Sequence, residues 1–399
     1  MPTLHSTPLD VSAQFGADAQ ALVTQMAQGA DPLADALTAV LMTGPRSLAD
    51  LLQRGMAQGH AALPDAPPEM AALLQQAQTR PSWANAQQVQ RGVDAYLGIG
   101  ALWLGIALGP GSLAHTYSSP SVARVLIATA NLKDRAMRRL QETANWQYHT
   151  MRPGSLEPGA PGYVHTLQVR LLHARVRANL LAQGWNVAER GLPINQLELM
   201  RTWLDFTAVP FHAMGKLGIE FTPEEYQDLY HAWHGVAHLL GIEERYYRRV
   251  HDQASGEAML ALIDAASGAP NADSALLTTH MLEAAGQRLA PLMQIPPDVA
   301  VGLMQGFCRL IHGDEMADRL AVPRTWWAAL MPTFANANRY QRLLQRQDAQ
   351  VHGSKVQATL GAFDQLIDLL KGETTYQRNL NPQATVHALP VSLSEAEQA

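Results

Sequence analysis

A single cysteine, Cys308, stands among 399 residues. One thiol excludes an intramolecular disulfide and any Cys-rich zinc or iron–sulfur site. Lying within an expected helical run over 299–311, it reads as a small buried hydrophobe. Charge is also scarce. Charged residues make up 16% of the chain, the net charge is −6, and no basic stripe is present. The sequence therefore lacks an electrostatic footprint for nucleic acid. Long runs of Val, Ile and Thr are missing too, while Ala, Leu, Gln and Met are plentiful, which favours helix over sheet. No apolar run reaches the roughly twenty residues that span a bilayer. The nearest, 95–108 (AYLGIGALWLGIAL), stops at Gly109-Pro110-Gly111 and reads as a buried or interfacial helix. Residues 1–15 have neither the basic start nor the apolar centre of a signal peptide, so the expected location is cytoplasmic.

What is present is helical periodicity. Apolar residues recur at spacings of three and four over 19–42, 50–58, 69–78, 121–146, 195–217 and 223–240. Further helices are expected near 256–266, 274–290, 297–312, 325–334 and 356–371. Thr222-Pro223-Glu224-Glu225 forms a strong start signal, a capping residue followed by proline and acidic side chains. The expected fold is all-α. A flexible segment over 1–20 precedes one helical domain over 21–372, and a loose tail covers 373–399. The oligomeric state stays open.

The most informative stretch is the helix reading Thr166-Leu-Gln-Val-Arg170-Leu-Leu-His173-Ala-Arg-Val-Arg177. On a helical wheel Val169, Leu172, Val176 and Leu180 form an apolar stripe. His173, Thr166, Arg177 and Arg170 lie immediately beside it, and Arg175 falls beyond the other edge. A haem pocket asks this of one helix: an imidazole reaching iron from an apolar wall, with cations where the propionates emerge. Spacing alone leaves two readings open, since a hydrogen-bonded core histidine flanked by surface arginines gives the same pattern.

The run RLLHARVR resembles the central motif of the latex-clearing-protein and MpaB-type oxygenase family, Arg-x-x-His-x-x-x-Arg, here Arg170, His173 and Arg177. An upstream Arg-x-x-x-Thr is matched by Arg139 and Thr143. Looser matches are ADPLADAL (30–37), LPINQLEL (192–199) and HGDEMADRLAVPR (312–324), so the likeness spans roughly 30–330. The resemblance implies a globin-like helical core elaborated by additional helices, binding haem b with His173 as the iron ligand. It implies that Arg139, Thr143 and Arg170 serve catalysis, and that Thr166, Arg170 and Arg177 help hold the cofactor. It further implies an oxygenase that takes dioxygen and a lipophilic, isoprenoid-type substrate and oxidises or cleaves a C=C bond. One position departs: where latex-clearing members carry a lysine before the threonine, this chain has Glu142. A carboxylate cannot replace a neutral amine ligand, and the wheel turns Glu142 well away from Thr143; it reads as a solvated helix carboxylate, with a pocket base as the alternative.

Competing for a metal are His231, His234 and His238, which share a face at i, i+3 and i+7 without a His-Glu-x-x-His arrangement. Two other classes of function also stand beside the oxygenase: a haem carrier or gas sensor without turnover, and a metal-free helical interaction protein.

Overall fold

A computed structural model describes residues 8–128, 132–369 and 372–378. Among these every regular element is a helix and none is a strand, so the all-α class expected from composition is the class observed.

The Pro161–Ala182 helix, which carries His173, lies at the junction of two apolar cores. Leu167, Leu171 and Ala174 pack with Leu37, Leu52, Leu73 and Leu74 of the N-terminal helices. Val169 and Leu172 instead face the main core, which holds Trp146, Trp203, Phe206 and Trp233. The wheel showed one stripe; the fold uses two. His173, Thr166, Arg170 and Arg177 occupy the strip between them, so the arginines expected just outside the buried face are inside it. Arg170 is 3% exposed and Arg177 2%.

Several expected long helices are divided. The 19–42 run becomes Ala17–Gln28 and Pro32–Thr43, because Asp31 caps the second through its side chain and Pro32 suits a first helical turn. The 121–146 run becomes Pro120–Ala128 and Leu132–Thr150. The 195–217 run breaks at Phe206-Thr207 between Gln196–Asp205 and Ala208–Lys216. By contrast, Pro223–Leu239 starts where Thr222 predicts, with a complete Thr222/Glu225 capping box.

Gly109-Pro110-Gly111 does not stop its helix. Residues Ala107–Leu113 form a buried π-helical turn that runs on into Ala114–Ser118. The widened turn accommodates the proline, and the Pro110 carbonyl accepts a bond from His312 Nε2 at 2.9 Å. Among the described residues no single helix is long and apolar enough to cross a membrane.

Both ends need correction where they are described. Residues 8–20 are folded: Leu9 N–H donates to the Ala266 carbonyl and Val11 N–H to Gln20 Oε1. The expected tail opens with a docked turn, Thr375–Arg378, whose Tyr376 is 4% exposed and accepts a bond from Asn145 Nδ2. The remainder of both expectations, 1–7 and 379–399, lies outside the described residues.

Candidate functional site

His173 sits midway along its helix, neither fully buried nor exposed, and its Nδ1 is enclosed without a hydrogen-bond partner. Burial, reinforced by the Arg177 charge, pushes its pKa down to about 4 despite Asp31 nearby. The imidazole is thus neutral at pH 7, the protonation state that ligates a metal. A neutral imidazole that is only partly buried is chemically suited to hold a haem iron.

The flanking groups have different work. Arg170 forms a two-pronged ion pair with Asp31, Nε to Oδ2 at 2.6 Å and Nη2 to Oδ1 at 2.9 Å, and its Nη1 donates to Gln76 Oε1. Gly241, at φ +76°, lies over this pair so closely that a Cβ would fall 2.3 Å from Asp31 Oδ2. Arg177 Nε donates to both oxygens of Asp35, and its Nη1 donates to the Ile194 carbonyl at 2.5 Å. The expected role of these arginines on propionates is therefore corrected: internal carboxylates and a carbonyl hold them. They fix the His173 helix against Pro32–Thr43 and the loop before Gln196–Asp205. Thr166, fully buried, accepts from Trp146 Nε1 at 3.1 Å and so ties the helix to Leu132–Thr150 rather than facing a cofactor.

On Leu132–Thr150, Arg139 Nη2 donates to the Leu126 carbonyl at 2.9 Å, and Thr143 is partly exposed. Trp146, one turn beyond Thr143, meets Thr166. Thr143 and Arg139 therefore continue along the edge that faces the His173 helix. Glu142 is not solvated as expected. It is 8% exposed, pairs with Arg138 at 2.7 Å and accepts bonds from Thr375 N–H and Oγ1. The docked C-terminal turn provides these partners, and Glu142 is thereby occupied away from the Thr143 side.

The rival histidines are each engaged by protein. His231 Nε2 accepts from Asn85 N–H at 3.0 Å; His234 Nε2 donates to the Val250 carbonyl and its Nδ1 accepts from Arg248. His238 lies against Gln76. Among the described residues no group of three or more His, Cys, Asp or Glu is arranged to hold a metal ion.

Two groupings escaped sequence reasoning. Glu198 accepts a bond from Ile194 N–H at 2.7 Å and another from Ser121 Oγ. Burial pushes its carboxyl up to about 7, although the Ile194 and Asn195 amides and the charges of Arg177 and Arg201 work in the other direction. The signal available was Asn195-x-x-Glu198, a capping-box spacing, but the glutamate reaches one residue further back than a box requires. The second grouping is an ionic cluster: His115 Nδ1 contacts Asp205 at 2.7 Å and its Nε2 contacts Asp264 at 3.2 Å, while Arg201 bonds Asp264 and Ser118. It borders a cavity of about 470 Å³ lined also by His312 and Arg319, which His173, Arg139 and Thr143 do not line.

The Pro161–Ala182 helix with His173 and the Leu132–Thr150 helix with Arg139 and Thr143 both fall inside a segment shared with an oxygenase catalytic domain. The chain belongs to the family described as "ER-bound oxygenase mpaB/B'/Rubber oxygenase, catalytic domain", which matches residues 97–345. The rubber oxygenase of Streptomyces sp. (strain K30) is 24% identical over 303 residues, covering 74% of this chain and 70% of its own. The structure titled "Structure of Latex Clearing Protein LCP in the closed state" superposes with a TM-score of 0.64 at 18% identity, over 87% of this chain and 92% of that one. That superposition speaks to the fold alone.

Proposed function

We propose that this protein is a haem b-dependent oxygenase that uses dioxygen to oxidise or cleave a C=C bond in an isoprenoid-type lipophile, with His173 as the iron ligand. The observation that carries this reading is the His173 imidazole, neutral and with Nδ1 unsatisfied, within the segment matched by an oxygenase catalytic domain. The relative named as a rubber oxygenase supports a polyisoprene-like substrate class.

Haem iron, when bound, would supply dioxygen activation. The chain supplies the rest. His173 presents a neutral nitrogen without first giving up a proton. Arg170 and Arg177, clamped by Asp31 and Asp35, prevent the histidine helix from rotating or sliding. Arg139 and Thr143 border the facing side, where Thr143 offers a hydroxyl and Arg139 a fixed positive charge. Glu142 is bound to Arg138 and the C-terminal turn and so is held off that side.

Cleavage of a trisubstituted alkene by dioxygen yields one ketone and one aldehyde and balances without an external electron donor. Haem-loaded protein incubated with polyisoprene should therefore consume one dioxygen per carbonyl pair formed. Full haem loading with neither oxygen uptake nor carbonyl product would reject the oxygenase in favour of a carrier or sensor.

A further inference from the structure

Residues 191–195 (GLPIN) run directly across the His173 helix and are stitched down at nearly every backbone group. The Gly191 carbonyl accepts from Trp185 Nε1 at 2.9 Å and the Leu192 carbonyl from Asn195 Nδ2 at 2.9 Å. The Pro193 and Ile194 carbonyls both accept from Arg177 Nη1, and Ile194 N–H donates to Glu198 Oε2. At the centre of this net Ile194 has φ +53°. A β-branched residue in the left-handed region is a genuine outlier and persists only where its surroundings over-determine it. Here two side chains do so from opposite sides, Arg177 on the carbonyl and Glu198 on the amide. The Ile194 side chain, together with Val176, packs on Val125, Leu180 and Trp185. Val176 and Arg177 lie three and four residues beyond His173, so the strap covers the same stretch of helix that presents the imidazole.

We propose that 191–195 is a strained strap clamped onto the His173 helix by Arg177 and Glu198, and that Glu198 is a positioning residue that holds the apolar wall beside the iron-binding histidine. The role in positioning rests on the reading of His173 as iron ligand; the clamp itself does not. Glu198 in turn is anchored by Ser121 Oγ, while its own N–H is capped by Asn195 Oδ1 at 3.0 Å. The carboxylate therefore joins three segments: the strap, the Gln196–Asp205 helix and the start of Pro120–Ala128. A glutamate that merely capped its helix would bond the Asn195 amide alone and leave Ile194 unheld.

Two readouts test this. The first is amide hydrogen exchange in cofactor-free wild type, Glu198→Ala and Glu198→Gln. The Ile194 amide should exchange about tenfold faster in Glu198→Ala and stay within about threefold of wild type in Glu198→Gln, whose amide oxygen still accepts. The second is the rate at which the same proteins, loaded with haem b, lose it to an excess of apomyoglobin. Glu198→Ala should release haem about tenfold faster and Glu198→Gln close to the wild-type rate. Should Glu198→Ala fail to fold, Ser121→Ala loosens the same anchor and should give intermediate changes in both. Unchanged exchange in the alanine variant would overturn the clamp. Faster exchange with an unchanged rate of haem loss would overturn the positioning role. A wild type that takes up no haem would overturn the iron reading and the positioning role together, with the exchange result still deciding the clamp.

Discussion

Asp31→Ala should lower the folding stability by about 3–5 kcal/mol, the cost of leaving a buried guanidinium without its partner. Arg170 is 3% exposed and has both of its Asp31 bonds inside the protein, so water cannot replace the lost carboxylate without opening the helix interface. Gln76 would remain as a neutral acceptor and soften the loss only in part. The pair's net contribution is smaller than the cost of breaking it, because both charges were desolvated to form it. The double variant Asp31→Leu/Arg170→Met should accordingly recover most of the deficit. Chemical denaturation of Asp31→Ala and of the double variant, each against wild type, measures the loss and its recovery. A loss below about 1 kcal/mol in Asp31→Ala would mean that the pair behaves as an exposed one, contrary to the packing described for the His173 helix.

The second large effect is pH-dependent and belongs to His115. Burial works against its charge, but Asp264 and Asp205, both within hydrogen-bond reach, outweigh it and push the pKa up to about 9. The native state then holds this proton more tightly than the unfolded chain, whose histidine titrates near 6.5. The stabilisation is fully present below pH 6.5 and is lost as pH rises through 9, an amount on the order of 3 kcal/mol. Asp264 adds the opposite limb: Arg201 and His115 outweigh burial and hold its carboxyl well below the usual range, so that support disappears in acid. His115→Gln should remove the alkaline limb. The difference between the wild-type and variant stability curves should fall steadily between pH 6.5 and 9. Subtraction cancels the contribution of Glu198, which titrates near 7 in both proteins. A flat difference curve would show that His115 is not charged within its cluster.

The two predictions also mark where the sequence was legible. The His173 helix and Pro223–Leu239 could be read directly, because periodicity, proline and capping signals are local. So could the family, from Arg139, Thr143, Arg170, His173 and Arg177 in order. The roles of the two arginines could not. Their partners Asp31 and Asp35 lie 139 and 142 residues away, and a wheel of one helix cannot show that a second layer of helices packs on its other side. Asp31 was itself hidden inside an expected continuous helix; the Asp31-Pro32 break that the periodicity overran is what frees its carboxylate to cap a helix and bind Arg170. Glu142 was misread as solvated for a related reason, since the turn that covers it comes from a C-terminal segment whose polarity suggested a tail. His115 and Ile194 carry no local signature. One acquires its charge from helices distant in sequence, and the other owes its importance to a backbone angle.

The central claim is that His173 ligates haem iron, and the absorbance spectrum after haem b reconstitution tests it most directly. Wild type should show a Soret band that His173→Ala loses or shifts to that of unligated haem, with both proteins folded by circular dichroism. An unchanged Soret band in the variant would contradict the account and move the search to another ligand.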